Sequence, residues 1–272
     1  MINQNKQFKK LDDFLNSEQQ FPSHNYLEIV LEKNNLVDEL SLSRLSSGLG
    51  KCINLSYLTL DFMKNKIGQY NISELGSQLV KCANLSNLKL ILENNQIGNQ
   101  GLLDLGLSLG LCNKLQNLKL NISLNNIDAQ GFLQFSSGLA KCSNLSYLKI
   151  DLGYNKIGDQ GVLALGSCLI SCKHLTKLTL YLNSNKITSY GASSLGFSLA
   201  KCSKLQNLCL NLSSNEIGDE LALQFGFTLV KCISLLTLQL DFKWNKMNQQ
   251  SKTKLFNTNF KLKKLVVKRV DL

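Results

Sequence analysis

The sequence predicts an α/β solenoid, a stack of strand–turn–helix coils wound on one core. Three observations predict it. Cys52, Cys82, Cys112, Cys142, Cys172, Cys202 and Cys232 recur at a fixed interval of 30 residues. Asn65, Asn95, Asn125, Asn155, Asn185, Asn215 and Asn245 keep the same interval. Within each interval the hydrophobic period switches from that of a strand to that of a helix. The chain is long enough for a substantial core, with 272 residues, 44% of them hydrophobic, and a single proline. One unit buries little alone, whereas stacked neighbours share a continuous core.

The elements follow in order within a unit. Leu88, Leu90 and Leu92 alternate, as a strand requires. Asn95 and Ile97 turn the chain inward, and Gly98 supports a tight bend. Leu105, Leu109 and Cys112 then fall at i, i+4 and i+7, the stripe of a short helix. Asn99, Asp159, Ser189 and Asp219 are expected at the helix N-cap, where a side-chain oxygen accepts an orphan N–H. Lysines at 51, 81, 141, 201 and 231 suit the negative end of the helix dipole.

Gly76, Gly106, Gly166, Gly196 and Gly226 follow the first apolar helical position of their coils, and position 136 is serine. A mid-helix glycine costs about 1 kcal/mol relative to alanine, so its recurrence predicts close approach of adjacent helices. An imperfect earlier copy contains Leu27, Ile29, Leu31 and Asn34, with one extra residue before Cys52. Beyond Asn245 the pattern decays, because Leu262 stands where a cysteine is due. The expectation is eight strands plus a short ninth near 265–270. Residues 1–24 form an N-terminal cap or flexible segment, and 25–272 the repeat domain. That domain holds about eight coils, with a short basic cap from about 251.

The pattern LxxLxLxLxxNxIGxxGxxxLGxxLxKC resembles the leucine-rich repeat family over about residues 25–272. Its helical second half and unit length are similar to the ribonuclease-inhibitor or Ran-GTPase-activating subclass. The Asn- and Lys-rich copies are similar in style to repeat arrays of ciliated protists. The resemblance implies a curved horseshoe, with parallel strands on the concave face and helices on the convex face. One departure stands out: LxLxLxxN replaces the usual LxLxxN, which predicts a strand two residues longer.

The nine cysteines carry no metal-site signature. Zinc sites want converging ligands, usually from CxxC pairs, and the nearest pair here is Cys168 and Cys172 on one helix. In-register sulfurs lie about one strand spacing (roughly 5 Å) apart or more, too far for disulfides. They read as small buried apolar residues. The asparagines read as a ladder bonding neighbouring coils. His24 and His174 lack a motif-placed nucleophile or carboxylate, and no phosphate loop occurs. No enzyme, cofactor or metal site is expected.

The start, MINQNKQFKKLDDF, has no apolar signal region, and no run approaches the roughly 18 apolar residues of a membrane span. The expectation is a cytoplasmic chain whose cysteines stay reduced. The sequons at Asn54, Asn84 and Asn144 are then by-products of the repeat. Net charge is +11, and residues 251–272 hold Lys252, Lys254, Lys261, Lys263, Lys264, Lys268 and Arg269 against Asp271 alone, a net +6. Such an end attracts acidic surfaces or serves as a solvated cap. Nucleic acid is not expected, because no recognised module or interleaved aromatics accompany the charge.

What varies between copies is the outward strand position. The candidate partner-binding residues are Tyr57, Asp61, Lys89, Glu93, Lys119, Asn121, Tyr147, Asp151, Tyr181, Asn211, Asp241 and Lys243. Together they show no dense aromatic cluster and no patch of one sign. The leading reading is a non-catalytic scaffold gripping an unidentified protein along this face. Family analogy offers a regulator of a Ran-like small GTPase, although that family usually ends acidic and this chain ends basic. Ribonuclease inhibitors are acidic, the opposite sign. A structural subunit of a ciliary or cytoskeletal assembly is the third reading.

Overall fold

A computed structural model describes residues 5–31, 39–220, 224–225, 228–259 and 265–272. Ten parallel strands form one sheet in chain order: β1 (Asn5–Phe8), β2 (Tyr26–Val30), β3 (Tyr57–Asp61), β4 (Asn87–Ile91) and β5 (Asn117–Asn121), then β6 (Tyr147–Asp151), β7 (Lys177–Tyr181), β8 (Asn207–Asn211), β9 (Thr237–Asp241) and β10 (Val267–Asp271). The helices among the described residues are α1 (Leu11–Leu15), α2 (Glu39–Gly50), α3 (Gly68–Leu79), α4 (Gly98–Leu111), α5 (Ala129–Leu139), α6 (Gly158–Ser171), α7 (Ser189–Ala200) and α8 (Gln249–Asn259). A 3₁₀ segment, Glu18–Ser23, follows α1.

Each strand pairs with the next at a step of 30 residues from β3 to β10, as in Leu88↔Leu118 and Leu118↔Leu148. The step from β2 to β3 is 31, with Leu27 opposite Leu58. Helices pack side by side in the same order. Strands space at about 4.8 Å and helices at about 8–10 Å, so the stack curves with the sheet inside. The interior is one contiguous cluster of leucines, isoleucines, phenylalanines and cysteines.

The predicted ladder of asparagines is present. Asn125 donates Nδ2 to the carbonyls of Leu92 at 2.8 Å and Ser123 at 2.9 Å. Its Oδ1 accepts the N–H groups of Asn95 at 3.0 Å and Ile97 at 3.2 Å. All its capacity points at backbone that no regular element would satisfy. The thiols form a weaker parallel series: Cys142 Sγ donates to the Leu109 carbonyl of the preceding coil at 3.2 Å. All nine cysteines are free.

Close helix approach is also found. A Cβ on Gly106 would lie 2.7 Å from the Phe135 carbonyl oxygen and 2.8 Å from its Cα, so α4 and α5 touch backbone to backbone. Gly226 and Asn34 lie outside the described residues.

Three expectations are corrected. The strands are five residues long, ending at Ile91 in β4, so Leu92 lies beyond the strand rather than lengthening it. Leu92 is fully buried, and its N–H still donates to the Asn121 carbonyl at 2.7 Å. The third leucine thus extends coil-to-coil bonding into the turn. Asn99, Asp159 and Ser189 are not the N-caps, and residues 221–223, which follow Asp219, lie outside the described residues. Where a side chain caps a helix it stands one residue earlier, as Asp128 does for Gln130 and Gly131 and Thr188 for Tyr190. The four residues instead reach the next coil: Asn99 accepts from Asp128 N–H, Asp159 from Thr188, Ser189 from Gly218 and Asp219 from Asn248. They brace the following cap rather than their own helix.

The third correction is the tenth strand. β1 pairs in parallel with β2, placing Phe8 beside Ile29. Phe8, Phe14 and Phe21 close this end, with Phe8 edge-on to Phe14 at 5.6 Å and Phe14 stacked on Phe21 at 4.8 Å. His24 is fully buried beside them, its two ring nitrogens without a hydrogen-bond partner among the described residues. Burial, with the Lys6 charge second, holds its pKa below the ordinary 6.5. His174 is exposed.

Candidate functional site

Alternation sends every second strand side chain inward, so Leu118 and Leu120 are buried while Asn117, Lys119 and Asn121 remain half-exposed. Strand register then lines the outward side chains into three rows across the sheet. The first contains Tyr57, Asn87, Asn117, Tyr147, Lys177 and Asn207. The second contains Thr59, Lys89, Lys119, Lys149, Thr179 and Cys209. The third contains Asp61, Ile91, Asn121, Asp151, Tyr181, Asn211 and Asp241.

The third row has a structural task. Asp61, Asn121, Asp151, Asn211 and Asp241 each accept, through Oδ1, the N–H two residues on, which shapes the turn leaving the strand. Ile91 and Tyr181 interrupt this series. Glu93, just past β4, accepts the Asn121 amide at 3.2 Å. Lys243 pairs with Asp271 at 3.7 Å. Burial pushes the Asp151 carboxyl up, opposed by the Gly153 N–H and the Lys149 charge.

The twelve candidates are not one cluster. Tyr57 on β3 and Asp241 on β9 are six strand spacings apart, roughly 29 Å. Lys89, Lys119, Tyr147, Asp151 and Tyr181 do come together, and register adds Lys149 and Lys177 to them. Three lysines face one another on consecutive strands, with Asp151 and Glu93 beside the row and tyrosines on the rows adjoining it. Lys119 and Lys177 approach the Tyr147 ring from the two flanking strands, at 5.5 and 4.7 Å from its centroid. Lys149 lies 5.0 Å from the Tyr181 centroid. Shallow depressions lie on either side of Tyr147, one lined by Tyr57, Lys89 and Lys119, the other by Lys149, Lys177, Tyr181 and Cys209. The signal for Lys177 was available: it stands 30 residues after Tyr147.

The basic C-terminal end is less open than its charge count implies. Lys268 lies over the Phe256 ring at 5.3 Å and Arg269 pairs with Asp271 at 2.9 Å. Lys261, Lys263 and Lys264 lie outside the described residues. Among the described residues, no helix is long and apolar enough to cross a membrane.

A family model described as "Leucine Rich repeat" matches residues 142–166, 171–196 and 208–220. These segments run from Cys142 through three consecutive coils of the stack just described. Over these segments the chain carries leucine-rich repeats. Among solved structures it is similar to an internalin C2 of Listeria monocytogenes, at 16% identity over 96% of both chains with a TM-score of 0.50. It is also similar to a protein of Bacteroides fragilis, at 15% identity over 98% of this chain and 73% of that one, again with a TM-score of 0.50. Both likenesses bear on the leucine-rich repeat fold alone. No curated protein matches the chain.

Proposed function

We propose that the protein is a non-catalytic interaction scaffold that holds a protein partner on the outward face of its sheet. One observation carries the reading. Inward strand positions repeat as leucine or isoleucine from coil to coil, whereas the outward rows vary while standing in register, the middle row keeping lysine only from β4 to β6. A surface that drifts against a fixed frame, with tyrosine and lysine concentrated at its middle, is built for contact with another molecule. The turn bonds of Asp61, Asp151, Asn211 and Asp241 leave a second oxygen or an amide on the same face for that contact.

The test is affinity capture with the intact chain and with a Tyr147→Ala/Tyr181→Ala variant, whose altered side chains lie outside the core. A partner retained at high salt by the intact chain and lost by the variant is the expected result. Equal capture by both would place the partner on another face. Circular dichroism on the variant checks that the coils remain folded.

A further inference from the structure

Lys89, Lys119 and Lys149 occupy the same register position on β4, β5 and β6, and Lys177 on β7 adjoins them across Tyr147. Neighbouring strands lie about 4.8 Å apart, and like charges directly opposite one another destabilise a sheet. The fold relieves this arrangement only in part: the Lys149 charge acts on Asp151, and the rings of Tyr147 and Tyr181 meet Lys119, Lys149 and Lys177. None of the four lysines has a carboxylate within 4 Å among the described residues. Of the two acids nearby, Asp151 accepts the Gly153 N–H through one oxygen and Glu93 accepts the Asn121 amide. Four lysines against these two acids leave an excess of like charge on an open face, a local cost that a bound anion removes.

From this we infer that the partner presents an extended acidic segment whose carboxylates lie along the Lys89–Lys119–Lys149 row, with Lys177 closing one end. The inference rests on the outward-face reading above and names the chemistry of its partner. Acidic side chains at alternate residues of an extended segment recur at about 6.7 Å. The lysine row is about 10 Å long, and its ammonium groups swing on flexible four-carbon stems, so two or three carboxylates fit it. The tyrosines decide against nucleic acid. Binding of single strands stacks bases on open aromatic faces, and here Tyr147 is flanked by lysines from both neighbouring strands, with another on Tyr181. A carboxylate that draws those lysines needs no open ring.

The experiment uses the full chain and a labelled ten-residue peptide of alternating glutamate and serine. Its controls are the glutamine counterpart and a twelve-residue oligothymidine. The Lys89→Gln/Lys119→Gln/Lys149→Gln variant should weaken the acidic peptide at least about tenfold. A Lys141→Gln/Lys173→Gln/Lys201→Gln variant removes the same charge from exposed positions past the helix ends of the same part of the stack. It should leave affinity within about twofold. Equal weakening by both variants overturns the site, because attraction to overall charge then explains the binding. Tighter binding of oligothymidine, abolished by the first variant, overturns the choice of partner class. Failure of the acidic peptide to bind, while Tyr147→Ala/Tyr181→Ala still loses the captured partner, overturns the acidic chemistry and leaves the outward-face reading intact. If that double variant also retains the partner, the outward-face reading itself fails.

Discussion

Asn95 holds Asn65 across two coils: its Oδ1 accepts the Asn65 N–H at 2.9 Å, while its Nδ2 donates to the Phe62 carbonyl at 2.7 Å. The same side chain thus ties together the turn that precedes it in the stack. Each link of the ladder satisfies buried backbone that neither strand nor helix reaches.

Removing one link should therefore cost far more than one hydrogen bond. Asn125→Ala leaves two buried N–H groups and two carbonyls short of a partner. At about 1–3 kcal/mol for each unsatisfied group, tempered by relaxation, the expected loss is about 3–5 kcal/mol. Asn245→Ala, at a part-exposed position, should cost visibly less because water replaces some of its bonds. Urea unfolding followed by circular dichroism compares the two, and equal losses would contradict the ladder's role.

Gly106→Ala tests backbone contact between α4 and α5. Helix propensity alone predicts a gain of about 1 kcal/mol. The new methyl would instead meet the Phe135 carbonyl oxygen at 2.7 Å, a backbone atom that no rotamer change moves. A net loss of about 1–3 kcal/mol is expected, read from the thermal midpoint. A stabilised variant would show that the helices separate easily.

The thiols offer a chemical readout. Burial pushes Cys52, Cys82, Cys142 and Cys232 up to about 12, so at pH 8 they hold almost no thiolate. Cys209 is partly exposed on the outward sheet face. Native protein treated with a thiol-specific reagent should react first at Cys209, with those four thiols silent until denaturant is added. Mass spectrometry of the labelled chain locates the modification.

The N-terminal end should be acid-sensitive. His24 is buried, and its folded-state pKa lies below the ordinary 6.5. Above that value both folded and unfolded forms are neutral, and the full stability is present. As pH falls below 6.5 the unfolded chain takes up a proton that the folded chain refuses, so stability is lost toward the depressed pKa. The melting midpoint should fall between pH 7.5 and pH 5.5, and His24→Phe should flatten that dependence. An unchanged slope in the variant would assign it to other groups.

Much of this architecture was legible because each level has its own period. Leu88 and Leu90 announce the strand, Leu105 and Leu109 the helix, and Cys82 with Asn95 the coil. β1 escaped because four residues with Lys6 and Gln7 among them carry no alternation, and their pairing depends on β2. The N-cap shifted by one residue because Asn99 and Asp159 are equally good acceptors whose donors happen to lie in the next coil. The lysine row is legible only when the 30-residue interval is read as strand register. Lys89, Lys119 and Lys149 are distant along the chain, and only the register of parallel strands makes them neighbours.

The constant step from β3 to β10 has a consequence for how such a chain can change length. Any window of 30 residues within that stretch, wherever it is cut, begins and ends at equivalent points of successive coils. Copying or deleting it returns every leucine, asparagine and cysteine to its place. The unit of inheritance need not coincide with a strand, a turn or a helix. A cut across the 31-residue step between β2 and β3, or the 21-residue step between β1 and β2, would leave the array out of phase.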